Sequence, residues 1–157
     1  MVSRDTARIG LLVAALNGLD ILSADIQNAF LTAPTKEQIY FYAGEEWKAD
    51  KDRTVVVVRA LYGLKSSALQ FRNHLARSLT KIGFKSSLAD PDLWYKPMNK
   101  GNGDTYYAYI LVYVDDIIIM DIEPMRFMKS IEYNFKLKKE SLKRPETYLG
   151  ASLSQVD

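Results

Sequence analysis

The sequence predicts an α+β fold in which an antiparallel sheet packs on two main helices. Apolar residues recur at helical spacing in several stretches, and these alternate with short runs rich in β-branched and aromatic residues. Alternating helices and antiparallel strands of this kind indicate an α+β sandwich. With 157 residues and 48% hydrophobic content, a single domain with a substantial core is expected.

Each element has its own signal. Residues 4–17 place Ile9, Leu12, Val13 and Leu16 at helical spacing, and Asn17-Gly18 is a stop. "DILSADI", 20–26, reads as a short buried strand, and "QNAFLTAP" as a helical turn ended by Pro34. "QIYFY", 38–42, and "TVVVVRA", 54–60, read as strands around the polar loop "GEEWKADKDR". Leu64, Ala68, Phe71, Leu75, Leu79 and Ile82 make the clearest helical stripe, with Ser66 as N-cap and Gly83 as stop. "DLWYK", 92–96, and "TYYAYILVY", 105–113, are strands joined by a loop holding Gly101, Asn102 and Gly103. "IIIM" is a further strand, Pro124 opens a helix to about Asn134, and a last strand lies near "ETYLGASL".

Composition excludes several chemistries. The chain has no cysteine, so a disulfide framework, a thiolate metal site and a cysteine nucleophile are out. Its one histidine, His74, excludes a multi-histidine metal site. No apolar run approaches the roughly 20 residues that span a membrane, so no membrane partner is expected. A formal net charge of +2 says little about partners.

The stretch "ILVYVDDIII", Ile110 to Ile119, poses the functional question. Asp115 and Asp116 sit side by side inside a β-branched run, where carboxylates repel one another and are costly to desolvate. A hairpin with the pair at its turn would expose them, and aspartate is a common turn residue. That reading suffices for the pair alone. Asp25, near the end of the buried strand "ILSADI", would add a third acid at the same sheet edge. A divalent cation offsets such repulsion. Mg²⁺ takes oxygen ligands, and two ions about 4 Å apart form an in-line phosphoryl-transfer site.

"YVDD", Tyr113 to Asp116, resembles the signature of reverse transcriptases. "ADIQNAFL", 24–31, resembles the first catalytic motif of copia-type LTR-retrotransposon polymerases. "RALYGLKSS", 59–67, "DPDLWYK", 90–96, and "TYLGASL", 147–153, resemble further blocks of that family in the same order. The resemblance implies a polymerase palm on a ferredoxin-like, split βαβ plan. It also implies partial fingers at about 34–60 and 84–104. The thumb, connection and ribonuclease H domains of the family are not expected within 1–157. An intracellular setting, a cytoplasmic virus-like particle or the nucleus, is implied likewise.

Carried over by residue, the resemblance makes Asp25, Asp115 and Asp116 catalytic. Asp25, Asp115, Asp116 and the Ile26 carbonyl would hold two ions, Mg²⁺ or Mn²⁺. Phe30 falls at the position resembling the steric gate against a ribose 2′-hydroxyl, and Tyr62, Gly63 and Lys65 fall in a nucleotide-binding block. Tyr113, Tyr148, Leu149 and Gly150 would lie along the primer and template. For Phe30 and Tyr148 core packing is the alternative, and for Lys65 a solvated surface. The implied partners are an RNA or DNA template with its primer, and a dNTP. Two departures stand out. Ser66-Ser67-Ala68 replaces the family's usual Gln-Ala-Pro, and Asp92 replaces a usual cysteine. A decayed or domesticated palm that binds nucleic acid or protein without catalysis is therefore the alternative function. Lys136, Lys138, Lys139, Lys143 and Arg144 are either phosphate contacts or a charged surface face.

Overall fold

The computed structural model describes residues 1–154, apart from the side chain of Ala151. It divides into two compact units, Met1–Gln27 with Arg77–Asp157, and Asn28–Ala76. The elements are α1 (Arg4–Leu16), β1 (Asp20–Asp25), α2 (Ala29–Thr32), β2 (Tyr40–Tyr42), β3 (Thr54–Val56), α3 (Ser67–Lys81), β4 (Lys85–Ser86), β5 (Leu93–Asn99), β6 (Thr105–Tyr113), β7 (Asp116–Asp121), α4 (Pro124–Glu132), β8 (Thr147–Tyr148) and β9 (Ala151–Ser152).

The larger unit is built on a five-stranded antiparallel sheet of order β1-β7-β6-β5-β4. Its centre is apolar on both faces. Leu111, Ile118 and Met120 pack in one cluster with Val2, Ala7 and Ala14 at α1. Ile110, Ile117 and Ile119, which alternate with them, are also fully buried. α4 packs against β7 and β1, burying Phe127, Met128 and Ile131. Gly83 closes α3 at a φ of +92°, a conformation that favours glycine. Phe84 then folds back and meets Phe127 edge-on, with ring centroids 4.9 Å apart. Mixed α+β architecture with an antiparallel sheet is thus as expected. Residues 84–104 form β4, β5 and the following turn of this sheet.

The face of α1 is not the expected one. Ile9, Leu12 and Leu16 are 63%, 59% and 77% exposed, while Ala7, Gly10 and Ala14 are buried. Close approach explains the reversal. A Cβ on Gly10 would lie 3.3 Å from the Met120 methyl and 3.6 Å from a Leu111 methyl. At that separation the helix admits small residues toward the sheet, and the large ones turn outward.

A polar knot missed in the sequence ends β7. Asp121 is fully buried and accepts from Arg126 Nε and Nη2, both at 2.8 Å, from Tyr106 Oη at 2.8 Å and from the Glu123 amide at 3.1 Å. Burial and the Asp121 charge together push the Tyr106 hydroxyl above its ordinary pKa.

The Asn28–Ala76 unit holds the short β2–β3 ribbon, which is less strand than the runs at 38–42 and 54–60 predict. The loop between them contains a 3₁₀ segment, Glu45–Asp50. Ser66 directly precedes α3, and its carbonyl accepts the Gln70 amide at 2.9 Å. Glu37 Oε1 accepts the Ser66 amide at 3.0 Å and is also bonded by the Ser66 hydroxyl, which holds the Glu37 carboxyl below its usual pKa. Ser67 Oγ donates to the Leu61 carbonyl at 2.5 Å. The last expected strand is a hairpin, β8–β9, turning at Leu149 and Gly150 with φ of +49° and +79°.

Two stability measurements follow from this packing. Gly10→Leu should cost about 1–3 kcal/mol by overpacking against Met120, whereas Leu12→Gln should stay within about 0.5 kcal/mol in urea unfolding. The opposite ranking would restore the face that the sequence predicts. Arg126→Met should cost about 2–3 kcal/mol, because it leaves buried Asp121 short of its charged partner; a neutral result would mean that water supplies the loss.

Candidate active site

The register of the sheet sets two of the acids opposite each other. Asp25 ends β1 directly opposite Asp116, the first residue of β7, and Asp116 also pairs with Tyr113 of β6. Val114 and Asp115 make the turn between β6 and β7. Val114 has a φ of +56°, in the left-handed region that a β-branched residue rarely occupies. Strain of this kind costs on the order of 1–3 kcal/mol and persists only where the surroundings enforce it. Here the enforcing contacts are the β6–β7 ladder and a hydrogen bond from the Ile26 amide to the Asp115 carbonyl, 2.8 Å.

The segment after α4 runs back along the end of β1. The Gln27 amide donates to the Lys136 carbonyl at 2.8 Å, and Ile26 bridges Leu137. The Lys138 amide donates to the Asp25 carbonyl at 2.9 Å, and the Asp25 amide donates to Ser141 Oγ at 2.8 Å. This places Lys138 Nζ 2.7 Å from Asp25 Oδ2, and the bond and charge of Asp25 raise the lysine pKa. Asp25 Oδ1 is shielded from solvent and has no hydrogen-bond partner among the described residues. Burial, then the charges of Asp25 and Asp115, push the Asp116 carboxyl up to about 6. The site therefore has more negative charge than its own cations offset. Its oxygen donors suit a hard divalent ion. Among the described residues, no three His, Cys, Asp or Glu side chains stand together as a ready metal cage. One carboxylate oxygen of Asp25 is held by Lys138 instead.

The other expected site residues are spread across both units. In the Asn28–Ala76 unit, Phe30 is half-buried, with ring centroids 4.6 Å from Tyr62 and 6.1 Å from Phe71. Tyr62 is 63% exposed, Lys65 is exposed, and Gly63 has a φ of +94° with open space where a Cβ would lie. In the sheet unit Tyr113 is partly exposed, whereas Tyr148 is buried in the α1 cluster. Burial, followed by the Asp116 charge, raises the Tyr148 pKa. Lys138 and Ser141 are the residues whose specific place sequence reasoning missed. "KLKKESLKR" marked the segment as basic, but nothing in it distinguishes the lysine that reaches Asp25.

Comparison with known proteins fixes the lineage. A family model described as reverse transcriptase (RNA-dependent DNA polymerase) matches residues 1–157. The chain is 33% identical over 127 residues to the retrovirus-related Pol polyprotein from transposon RE1 of Arabidopsis thaliana, covering 79% of this chain and 8% of that protein. It is 26% identical over 134 residues to a putative transposon Ty5-1 protein of Saccharomyces cerevisiae, covering 83% and 42%. It is 25% identical over 122 residues to the retrovirus-related Pol polyprotein from transposon TNT 1-94 of Nicotiana tabacum, covering 76% and 9%. The chain thus spans less than half the length of each of these relatives. By the whole-length family match and these identities, it belongs to the reverse transcriptase family of copia-type retrotransposon Pol polyproteins.

Proposed function

We propose that the chain is the palm of an RNA-directed DNA polymerase, joining a dNTP to a primer 3′-hydroxyl on an RNA or DNA template. The observation that carries this reading is Asp25 opposite Asp116, with Asp115 in the adjoining turn and one Asp25 oxygen without a hydrogen-bond partner among the described residues. Asp25, Asp115 and Asp116, with the Ile26 carbonyl, would hold two Mg²⁺ ions. When bound, such ions lower the pKa of the attacking hydroxyl and stabilise charge on the leaving pyrophosphate. The chain's own work is positioning, which can supply on the order of 7–11 kcal/mol of a barrier. β1 and β7 fix two acids across one ladder, and the Val114–Asp115 turn fixes the third. Phe30, supported by Tyr62 and Phe71, is proposed as the gate against a ribose 2′-hydroxyl. Tyr62, Gly63 and Lys65 are proposed to contact the nucleotide, and Tyr113 with the Leu149–Gly150 turn to lie along the primer. Segment 34–60 is proposed as a finger portion, whereas 84–104 belongs to the palm sheet itself.

The charge excess sets a pH test. A carboxyl whose folded-state pKa stands above its unfolded value stabilises the fold while it is protonated. That contribution is complete below the ordinary value of 3.8 and is lost as pH rises through about 6. Asp116→Asn should therefore stabilise the metal-free chain near neutral pH, by on the order of 1–2 kcal/mol after solvent screening. The gain should vanish at the acidic end of that window. Saturating Mg²⁺ should raise the melting temperature of the unaltered chain and flatten the difference. A Mg²⁺ effect that is equal in Asp25→Asn and the unaltered chain would sink the two-ion reading.

Sugar choice tests the gate. In a polymerase carrying this segment, Phe30→Ala should lower the ratio of kcat/KM for dNTP over rNTP by roughly tenfold or more. An unchanged ratio in single-nucleotide insertion would reduce Phe30 to a packing residue.

A further inference from the structure

We propose that Lys138 is the resident counter-cation of Asp25, and that a divalent ion bound there must displace the lysine ammonium. The inference rests on the two-ion reading and adds to it a competitor supplied by the chain itself. Its basis is geometric. Lys138 Nζ lies 2.7 Å from Asp25 Oδ2, and the backbone of its segment is tied to β1 on both sides of that contact. Ile26 bridges Leu137, which is 5% exposed, and the Lys138 amide reaches the Asp25 carbonyl at 2.9 Å. Ser141 Oγ donates to the Lys138 carbonyl at 2.7 Å while accepting the Asp25 amide at 2.8 Å. The lysine therefore meets Asp25 because the main chain delivers it, unlike a surface pair formed by two wandering side chains.

The same contact is built to open. The lysine side chain is 40% exposed, so its ammonium can leave for water without moving the anchored backbone. A doubly charged ion on Asp25 would stand within a few ångströms of Nζ, and two cations on one carboxylate repel. Without a metal, the ammonium offsets charge at a sheet end where Asp25 faces Asp116. With a metal, that role passes to the ion. Lys138 is thus a positioning residue for Asp25, and metal affinity is set partly by how readily it lets go.

The test is Mn²⁺ binding to the 157-residue chain by calorimetry at fixed pH and ionic strength. Lys138→Met should bind Mn²⁺ roughly three- to fivefold more tightly than the unaltered chain, the size expected for a partly exposed ion pair. Lys138→Arg should not. Lys139→Met, which removes the same charge one residue along, should produce less than half the change. Lys138→Gln repeats the measurement if the methionine variant fails to fold. On the unaltered chain, ¹⁵Nζ spectra should show the ion-paired Lys138 resonance lost on titration with Mg²⁺. Equal or weaker Mn²⁺ binding by Lys138→Met, or an equal gain in Lys139→Met, overturns the proposal and leaves the two-ion reading standing. No Mn²⁺ binding by any of these chains overturns both.

Discussion

Everything at the acidic end of the sheet depends on the pairing of β1 with β7. That ladder runs from Asp20 opposite Asp121 to Asp25 opposite Asp116, with Ile21 to Ala24 facing Met120 to Ile117 between them. The apolar middle is what makes the ends tolerable. Ile117 to Met120 are buried on both faces of β7, and a slip of one residue would carry the charge of Asp116 or Asp121 into that apolar middle. With the register fixed, the carboxylates have no freedom to separate along the strand.

The two ends of β7 show how one residue type serves two purposes. Asp121 is more deeply buried than Asp116, yet its oxygens are filled by Arg126, Tyr106 and the Glu123 amide. It behaves as a structural acid whose charge is spent inside the fold. Asp116 is disfavoured in its charged form first by burial and then by the charges of Asp25 and Asp115, and among the described residues no such set of donors meets it. Burial alone does not separate the two roles. What separates them is whether the chain itself supplies the compensating protons and charges.

Much of this was legible in the sequence, for reasons that particular residues make plain. The β6 and β7 runs are strongly β-branched, and "YVDD" between them fixes where the turn must fall. Gly83 and Phe84 mark the end of α3 as read. What periodicity could not supply was distance. The outward Ile9, Leu12 and Leu16 have the spacing of a buried stripe, and only the close approach of Gly10 to Met120 shows that the small face is the inner one. The Asp121 knot joins residues 15 and 20 apart, and Lys138 reaches Asp25 across 113 residues. Contacts of that range leave no local pattern. Likewise the Ser66-Ser67 departure reads as a loss in sequence, but both hydroxyls make bonds at the start of α3.

Strain and charge at the site have a common support. Val114 holds a left-handed φ because the strands on either side of it are locked into the ladder, and the Asp115 carbonyl is tied down by Ile26. Ile26 is itself fully buried and bridges Leu137 one residue before Lys138. The residue that would lend its carbonyl to an ion therefore also anchors the turn carrying one acid and the segment carrying the opposing cation. A change that loosened Ile26 would release strain at Val114, the hold on Asp115 and the delivery of Lys138 together. Coupling of that kind lets a marginally stable domain keep an unfavourable cluster in place: no single weak contact holds it, and the hydrophobic centre of the sheet holds all of them at once.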